Sequence, residues 1–358
     1  MACCHRDCKE CGTRKQGCAN DPLGASHCCL DAIAERARSC NTHQAPCMLD
    51  VERFSKVTTL ADPYSENRNT VVGVLTGPKK TVEEREKKYG IKFDAELMYM
   101  NVLVSAAAFH CLDVWPLMPP PLAPALDHVQ NLDFSSVRKV LKKGRNVQLV
   151  IEVFDNLKGI ASGKYDGYLV KFGDRVRKFG EQITVRLLHE INGTQSSQHA
   201  WGWFCRVDAM PPSIHATMAY NAQNASGHDT PLEDFYTPIE DYVDEICVSA
   251  YNLCGDAYPE NKPLTEILGA WYKQVTWFSS KHLCISEMSS TGHCTGKPEW
   301  IKQTWETLAT DYTQFTAINW FLENKVETLN RDWDLNSKKD IREFTSGFRK
   351  FKEQTAVH

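Results

Sequence analysis

Three apolar runs in the chain end in polar residues whose types could do chemistry. The first leads into Arg186, His189 and Glu190, the second ends at Tyr251, and the third ends at Glu287. Two carboxyl groups at one cleft can divide the work of cleaving a glycosidic bond, because one donates a proton to the leaving oxygen while the other attacks the sugar. Glu190 and Glu287 therefore predict glycoside hydrolysis, provided that the fold places both at one cleft.

The elements that must position these residues follow a regular pattern. Apolar residues at three- and four-residue spacing predict helices over 165–179 and 264–278, and a last helix around 341–348. Eight runs rich in apolar and β-branched residues predict strands at 71–75, 96–104, 147–154, 183–189, 214–220, 245–251, 282–287 and 315–321. Repeated strand–helix units of this number predict an α/β fold in which parallel strands close into a (β/α)8 TIM barrel.

The predicted barrel gives the polar strand ends a common location. Active sites of such barrels lie at the C-terminal ends of the strands, and Glu190 and Glu287 end strands four and seven. A lone glutamate at a strand end is usually a solvated rim residue, and a lone histidine such as His189 is more often structural than catalytic. The joint occurrence of the glutamates with Arg186 and Tyr251 favours catalysis over these alternatives.

The same motifs resemble those of glycoside hydrolase family 26, which contains β-mannanases and related endo-β-glycanases. The two glutamates are also separated as in that family, by 97 residues. The resemblance runs from about Val72 to Trp333 and rests on GKYDGY at 163–168, RLLHEING at 186–193, DYVDE at 241–245, SAYN at 249–252 and ISE at 285–287.

This resemblance implies a role for each residue of the predicted cleft. Glu190 is similar to the general acid/base, which must hold a proton for the leaving oxygen. Glu287 is similar to the nucleophile, which must remain ionised to attack the anomeric carbon. Tyr251 would donate a hydrogen bond to that nucleophile, and Arg186 beneath it would keep it charged. His189 would bind the sugar or orient its neighbour.

Other side chains are expected to bind substrate. Asn192 is grouped with these residues and is also expected to support the acid/base loop. Trp201, Trp203 and Trp320 are the candidate sugar platforms, because the apolar face of a pyranose stacks on aromatic rings; core packing is an equally open interpretation for each. Family members usually carry a tryptophan soon after the acid/base motif, whereas this chain inserts residues 194–200.

The N-terminal segment differs in composition from the rest of the chain. Nine of the fifteen cysteines lie within residues 1–47, which contain few large aliphatic residues and no aromatic one. Such a segment needs covalent or metal cross-links, so we expect a disulfide-rich module at 1–47 that binds carbohydrate or a surface. Zinc is the rival interpretation, because Cys8 and Cys11 have C-x2-C spacing. We expect a linker at 48–69 and the catalytic barrel at 70–350.

The remaining cysteines bear on the cellular compartment. Cys254 and Cys294 follow strands six and seven on neighbouring loops and are expected to form a disulfide, whereas Cys247 and Cys284 fall inside strands and are expected to be buried thiols. Disulfides indicate an oxidising compartment, so we expect a secreted protein. The first residues contain no apolar signal stretch, and we expect the natural precursor to extend upstream with a signal peptide.

Charge and composition narrow the possible partners. A net charge of −4 provides no broad basic field for nucleic acid or anionic lipid. The apolar stretch 97–112 is interrupted by polar residues and is shorter than the roughly 20 residues that cross a bilayer. We therefore expect neither a nucleic-acid nor a membrane partner. No phosphate-binding glycine loop or catalytic metal motif is recognisable in the sequence, so we expect no cofactor.

The sequence therefore predicts a monomeric retaining endo-β-glycanase acting on a polysaccharide. β-1,4-Mannan is the favoured substrate, because it is the commonest activity of the family that the chain resembles. β-1,3-Xylan, mixed-linkage β-glucan and β-1,3-glucan are the alternatives. A non-catalytic carbohydrate-binding protein is the rival from another class, but it would have no chemical need for both glutamates with Tyr251 and Arg186. Retention predicts carboxyl groups about 5 to 5.5 Å apart.

Overall fold

The structure is a computed structural model that describes residues 69–77, 80–101, 134–152, 166–192, 215–222, 231–254 and 260–356. The cysteine-rich module expected at 1–47 and the linker as far as residue 68 lie outside the described residues. So do Trp201 and Trp203. The domain boundaries proposed from the sequence are therefore still predictions.

Eight parallel strands form a closed barrel in sequence order, and the last strand pairs with the first. They are β1 (Val71–Thr76), β2 (Ala95–Asn101), β3 (Asn146–Glu152), β4 (Ile183–Leu188), β5 (His215–Asn221), β6 (Glu245–Asn252), β7 (His282–Ser290) and β8 (Phe315–Leu322). These strands are apolar because parallel strands are covered on both faces. The predicted (β/α)8 fold is confirmed.

Helices pack around the outside of this barrel. They are α1 (Val82–Tyr89), α2 (Ser135–Lys142), α3 (Asp166–Arg177), α4 (Leu232–Tyr236), α5 (Leu264–Phe278), α6 (Lys297–Thr310) and α8 (Lys338–Thr355). The short helix α7 (Val326–Leu329) lies in the connection after β8 and buries none of its residues. The three predicted helices correspond to α3, α5 and α8. The connection after β8 also contains a short antiparallel pair, β9 (Asn324–Lys325) and β10 (Arg331–Asp332). In the described part of the chain, no helix has the length and apolarity needed to cross a membrane.

The apolar core between strands and helices is rich in aromatic residues. Trp305 on α6 contacts Phe344 on α8, with 5.6 Å between ring centroids, and Phe351 at 5.2 Å. The two helices approach closely because position 347 is glycine: a Cβ there would overlap the Trp305 side chain. Gly347 therefore serves the contact between α6 and α8 despite its low helix propensity.

The inside of the barrel changes in character from one end to the other. Small residues fill the end at which the strands begin: Val71, Ala219, Cys247, Cys284 and Ala317. Halfway along, the Asn319 amide donates to Gln148 Oε1 at 2.6 Å. Gly73 of β1 leaves room for this pair, because a Cβ at Gly73 would overlap the Asn319 amide. The polar layer thus separates an apolar floor from the mouth.

Two disulfides join β6 to β7 and the loops that follow them. Cys254 and Cys294 are bonded, as predicted from their positions. Cys247 and Cys284 are also bonded, so the prediction that they are free buried thiols is wrong. The reason is their register: they are direct partners on adjacent parallel strands, with Cα atoms 4.3 Å apart. The sequence did not specify that register.

Candidate active site

The turn after β4 carries three of the predicted site residues. Arg186 lies within the strand and is 2% exposed, whereas His189 and Glu190 fall in the turn that follows Leu188. Glu190 has a φ of 45°, in the left-handed region that residues other than glycine occupy at a cost of about 1 kcal/mol or more. This sharp redirection places the Glu190 carboxylate within hydrogen-bonding distance of Asn221 Nδ2, at 3.2 Å from Oε2.

Asn192 fixes this turn against β5. Its Nδ2 donates to the backbone carbonyl of Asn221 at 3.1 Å, and its Oδ1 accepts from the Asn221 backbone N–H at 2.7 Å. The side chain is 0% exposed. Asn192 therefore supports the turn that carries Glu190, and its grouping with substrate-binding residues is corrected because a buried side chain is out of reach of a sugar.

An irregularity in β7 turns Glu287 toward the barrel interior. Ile285 and Met288 pack in the core outside the barrel, whereas the Ser286 hydroxyl lies 3.1 Å from that of Ser249. Strict alternation would therefore point Glu287 outward. The register of β7 shifts against both β6 and β8 at this point, as at a β-bulge, so that two successive residues face inward.

Three side chains donate hydrogen bonds to the Glu287 carboxylate. Arg186 Nη1 donates to Oε1 at 2.6 Å, and Tyr251 Oη donates to Oε2 at 2.7 Å. Tyr99 Oη also donates to Oε1. Arg186 reaches across from β4 and donates through Nη2 to the Ser286 carbonyl at 2.9 Å, which fixes its guanidinium plane. The structure thus brings Arg186 and Tyr251 into direct contact with Glu287.

This environment keeps Glu287 ionised although it is only 3% exposed. Burial alone raises the pKa of the carboxyl group. The opposing effects of His189 and Arg186, with the hydrogen bonds from Tyr99 and Tyr251, are larger in sum and hold the pKa of Glu287 below its ordinary value. Burial and the Glu287 charge raise the pKa of Tyr251 well above its ordinary value, so its hydroxyl retains the proton that it donates.

His189 lies beside the same carboxylate. Its Nδ1 is 3.8 Å from Glu287 Oε1 and 3.4 Å from Arg186 Nη1. The imidazole also packs edge-to-face against the Tyr99 ring, with 5.9 Å between centroids. The His189 side chain is 17% exposed, so it combines contact with the buried charge and partial access to solvent.

Tyr99 is the site residue that the sequence analysis missed. It lies within the apolar run 96–104, whose composition predicts only a barrel strand. Side chains alternate between the two faces of a strand, so the sequence does indicate that Tyr99 shares a face of β2 with Leu97, and that Met98 and Met100 share the other. What the sequence could not show is that this face, at this height in the barrel, meets Glu287.

Trp320 is not a sugar platform, and that prediction is wrong. Its neighbour Asn319 faces the barrel interior, so alternation turns Trp320 outward. The ring is 0% exposed and packs against Trp305 and Phe344, at centroid distances of 5.2 and 4.9 Å. Trp333 packs against Tyr251, with 4.7 Å between ring centroids, but it is also buried, at 5% exposed.

Potential metal ligands lie away from this cluster. Within the described residues, Glu245, Cys247 and Cys284 have ligand atoms within 4.8 Å of one another. They are at the end of the barrel where β6 and β7 begin, opposite Glu287. Because Cys247 and Cys284 form a disulfide, their sulfur atoms are not available as thiolate ligands.

Known proteins resemble this chain at different levels. No known protein family profile matches the chain. Endoglucanase H of Acetivibrio thermocellus is 26% identical over 231 residues, a match that covers 57% of this chain and 25% of that protein. The chain thus spans about a quarter of the length of this relative.

Solved structures extend the comparison to the fold. GH26C from a Muricauda species has a TM-score of 0.52 at 12% identity, with 80% of this chain and 86% of that chain covered. An endo-β-1,4-mannanase double mutant from Cellulomonas fimi reaches 0.48 at 10% identity, covering 79% and 70%, and is too distant to carry an argument. The chain is therefore similar in sequence to an endoglucanase and in fold to a family 26 glycoside hydrolase, as its motifs indicated.

Proposed function

We propose that the chain is an endo-acting glycoside hydrolase that cleaves a β-glycan with retention, using Glu190 as acid/base and Glu287 as nucleophile. The observation that carries this proposal is the buried Glu287 carboxylate, which is held ionised by Arg186, Tyr99 and Tyr251. A nucleophile for glycosidic carbon needs this combination of charge and fixed orientation. A glutamate that has only a structural role at the surface needs neither a buried charge nor a fixed orientation.

The two steps assign a task to each carboxyl group. In the first, a Glu287 oxygen bonds to the anomeric carbon as the bond to the leaving oxygen breaks, and that oxygen takes the proton of Glu190. In the second, Glu190 takes a proton from water as the water oxygen bonds to the same carbon and displaces Glu287. This mechanism requires the two carboxyl groups to be about 5 to 5.5 Å apart.

Two polysaccharides are proposed as candidate substrates, and analysis of the products can decide between them. β-1,4-Mannan follows from the motifs that resemble family 26. β-Glucan is the second candidate, because the relative with 26% identity is named an endoglucanase. Incubation with mannan, lichenan, laminarin and β-1,3-xylan, followed by separation of the oligosaccharides, distinguishes the candidates. If protein that is verified as folded cleaves none of these polysaccharides, the proposed function is contradicted.

Replacement of the nucleophile tests the chemistry directly. Glu287→Ala should abolish turnover, with a loss of about 10⁴-fold or more, because no covalent intermediate can form. Azide should then restore part of the activity on an activated aryl glycoside and give a glycosyl azide of inverted configuration. The matched control is Glu306→Ala, a substitution of an exposed residue on α6 that should leave turnover unchanged.

The configuration of the first product tests retention independently. Proton NMR during the first minutes of hydrolysis should show the β-anomer before mutarotation. Initial release of the α-anomer would contradict the nucleophile assignment and would indicate that a water molecule enters between Glu287 and the sugar.

We also propose that the protein is secreted. The two disulfides within the described residues form and persist in oxidising compartments. The N-terminal module at 1–47 is proposed to bind carbohydrate or a surface, and the barrel to act as a monomer. Intact-mass analysis of the natural protein before and after reduction tests the compartment, because a fully reduced protein would contradict secretion.

A further inference from the structure

The two oxygens of Glu287 have different surroundings. Oε1 accepts hydrogen bonds from Arg186 Nη1 and Tyr99 Oη, whereas Oε2 accepts one from Tyr251 Oη among the described residues. A carboxylate oxygen has two lone pairs in its plane. Both lone pairs of Oε1 are therefore occupied, whereas the described residues occupy one lone pair of Oε2 and leave the other to bond to a carbon atom.

We propose that Tyr99 is a positioning residue that, together with Arg186, fixes Oε1 as the oxygen that does not attack, so that Oε2 bonds to the anomeric carbon. The inference rests on the proposed hydrolase function and deepens it by dividing the work between the two oxygens. It assigns a task to a β2 residue that the motifs around Glu190 and Glu287 do not include.

The consequence differs between the two steps of the reaction. When Oε2 bonds to the anomeric carbon, Oε1 becomes the carbonyl oxygen of a neutral ester. Hydrogen bonds to a charged oxygen are about twice as strong as those to a neutral one. The Tyr99 hydrogen bond therefore weakens as the glycosyl-enzyme forms and strengthens as water breaks it. Tyr99 should accelerate the second step more than the first.

The variant Tyr99→Phe should reveal this asymmetry with an activated aryl glycoside that the wild type cleaves. The second step should slow by about tenfold, so that kcat and KM fall together while the glycosyl-enzyme accumulates. A burst of released phenol equal to the enzyme concentration should precede the steady state. A merely structural defect would lower kcat/KM and give no burst.

The pH profile provides a second readout. Because the Tyr99 hydrogen bond lowers the pKa of Glu287, its removal should raise that pKa and move the acidic limb of kcat/KM to higher pH. The matched control is Tyr312→Phe, whose hydroxyl lies 3.4 Å from the Thr265 carbonyl on the outside of the barrel. Tyr312→Phe should change neither the acidic limb of the pH profile nor KM. Thermal unfolding of both variants checks that each is folded.

A trapped intermediate of the wild-type protein identifies the attacking oxygen without any substitution. A 2-deoxy-2-fluoro glycoside should leave the sugar bonded to the oxygen beside Tyr251, with the other oxygen in contact with Arg186 and Tyr99. A bond to the oxygen beside Tyr99 overturns the inference, as does a Tyr99→Phe variant with unchanged KM, burst and acidic limb. Wild-type protein that cleaves no glycoside contradicts the proposed function itself, which is a separate outcome.

Discussion

At the scale of single residues, the two glutamates are held in different ways. Glu287 is buried and fixed by Arg186, Tyr99 and Tyr251, which suits the nucleophile role proposed for it, because a nucleophile must keep its orientation. Glu190 is half-buried, lies in a turn with left-handed backbone, and accepts from Asn221 Nδ2. A group that exchanges protons with a leaving oxygen and with water needs this partial access to solvent.

Replacing Glu190 should separate substrates by their leaving group. Glu190→Ala should slow hydrolysis of a polysaccharide by about 10²- to 10⁴-fold, because the departing oxygen then lacks a proton donor. The first step on a dinitrophenyl glycoside should be nearly unaffected, since that leaving group departs as an anion. Pre-steady-state release of dinitrophenol is the measurement, and an equal loss on both substrates would remove Glu190 from the acid/base role.

At the scale of elements, the contact between α6 and α8 provides a test of packing against helix propensity. Alanine normally stabilises a helix interior relative to glycine by about 1 kcal/mol. At Gly347 a Cβ would overlap Trp305, so Gly347→Ala should instead lower the free energy of unfolding by about 1–2 kcal/mol.

The control for this prediction is a helical glycine without a crowded neighbour. A Cβ at Gly269 of α5 meets nothing within 4 Å among the described residues, so Gly269→Ala should raise the free energy of unfolding by about 0.5–1 kcal/mol. Denaturant titration measures both variants. Effects of the same sign at the two positions would show that the overlap with Trp305 does not govern stability.

Elements of the fold were easier to predict than the directions of their side chains. All eight strands were recognisable, including β5, because a strand covered on both faces must be apolar throughout. The same uniformity hides which residues face inward. Trp320 was misassigned for this reason, and Tyr99 was missed. Glu287 was found by its motif, although a register shift that no sequence pattern shows is what turns it inward.

At the scale of the whole molecule, the barrel closes close to the residue where the described chain begins. Thr70 Oγ1 donates to the Phe315 carbonyl at 3.1 Å, and Lys352 Nζ donates to the Thr70 carbonyl at 3.1 Å. A chain that begins at residue 69 should therefore keep the thermal midpoint of the barrel and its kcat on soluble oligosaccharides. Calorimetry and initial rates provide the comparison with the full chain.

A second truncation serves as the control for the first. A chain that begins at residue 77 lacks β1 and should not fold, because the barrel would open and β8 and β2 would each lose one partner strand. If the chain from residue 69 also failed to fold, the barrel would depend on the preceding segment, and the proposed separation of module, linker and barrel would have to be abandoned.

The pairing of β1 with β8 also has a consequence during synthesis of the chain on the ribosome. It joins residues 246 positions apart along the chain, such as Val71 and Ala317, so a β1 strand that forms early has one unpaired edge until β8 is made. At about 5–20 residues per second, that interval is on the order of 10 to 50 seconds. We therefore expect the nascent chain to be prone to strand-to-strand association at the β1 edge until β8 has been made.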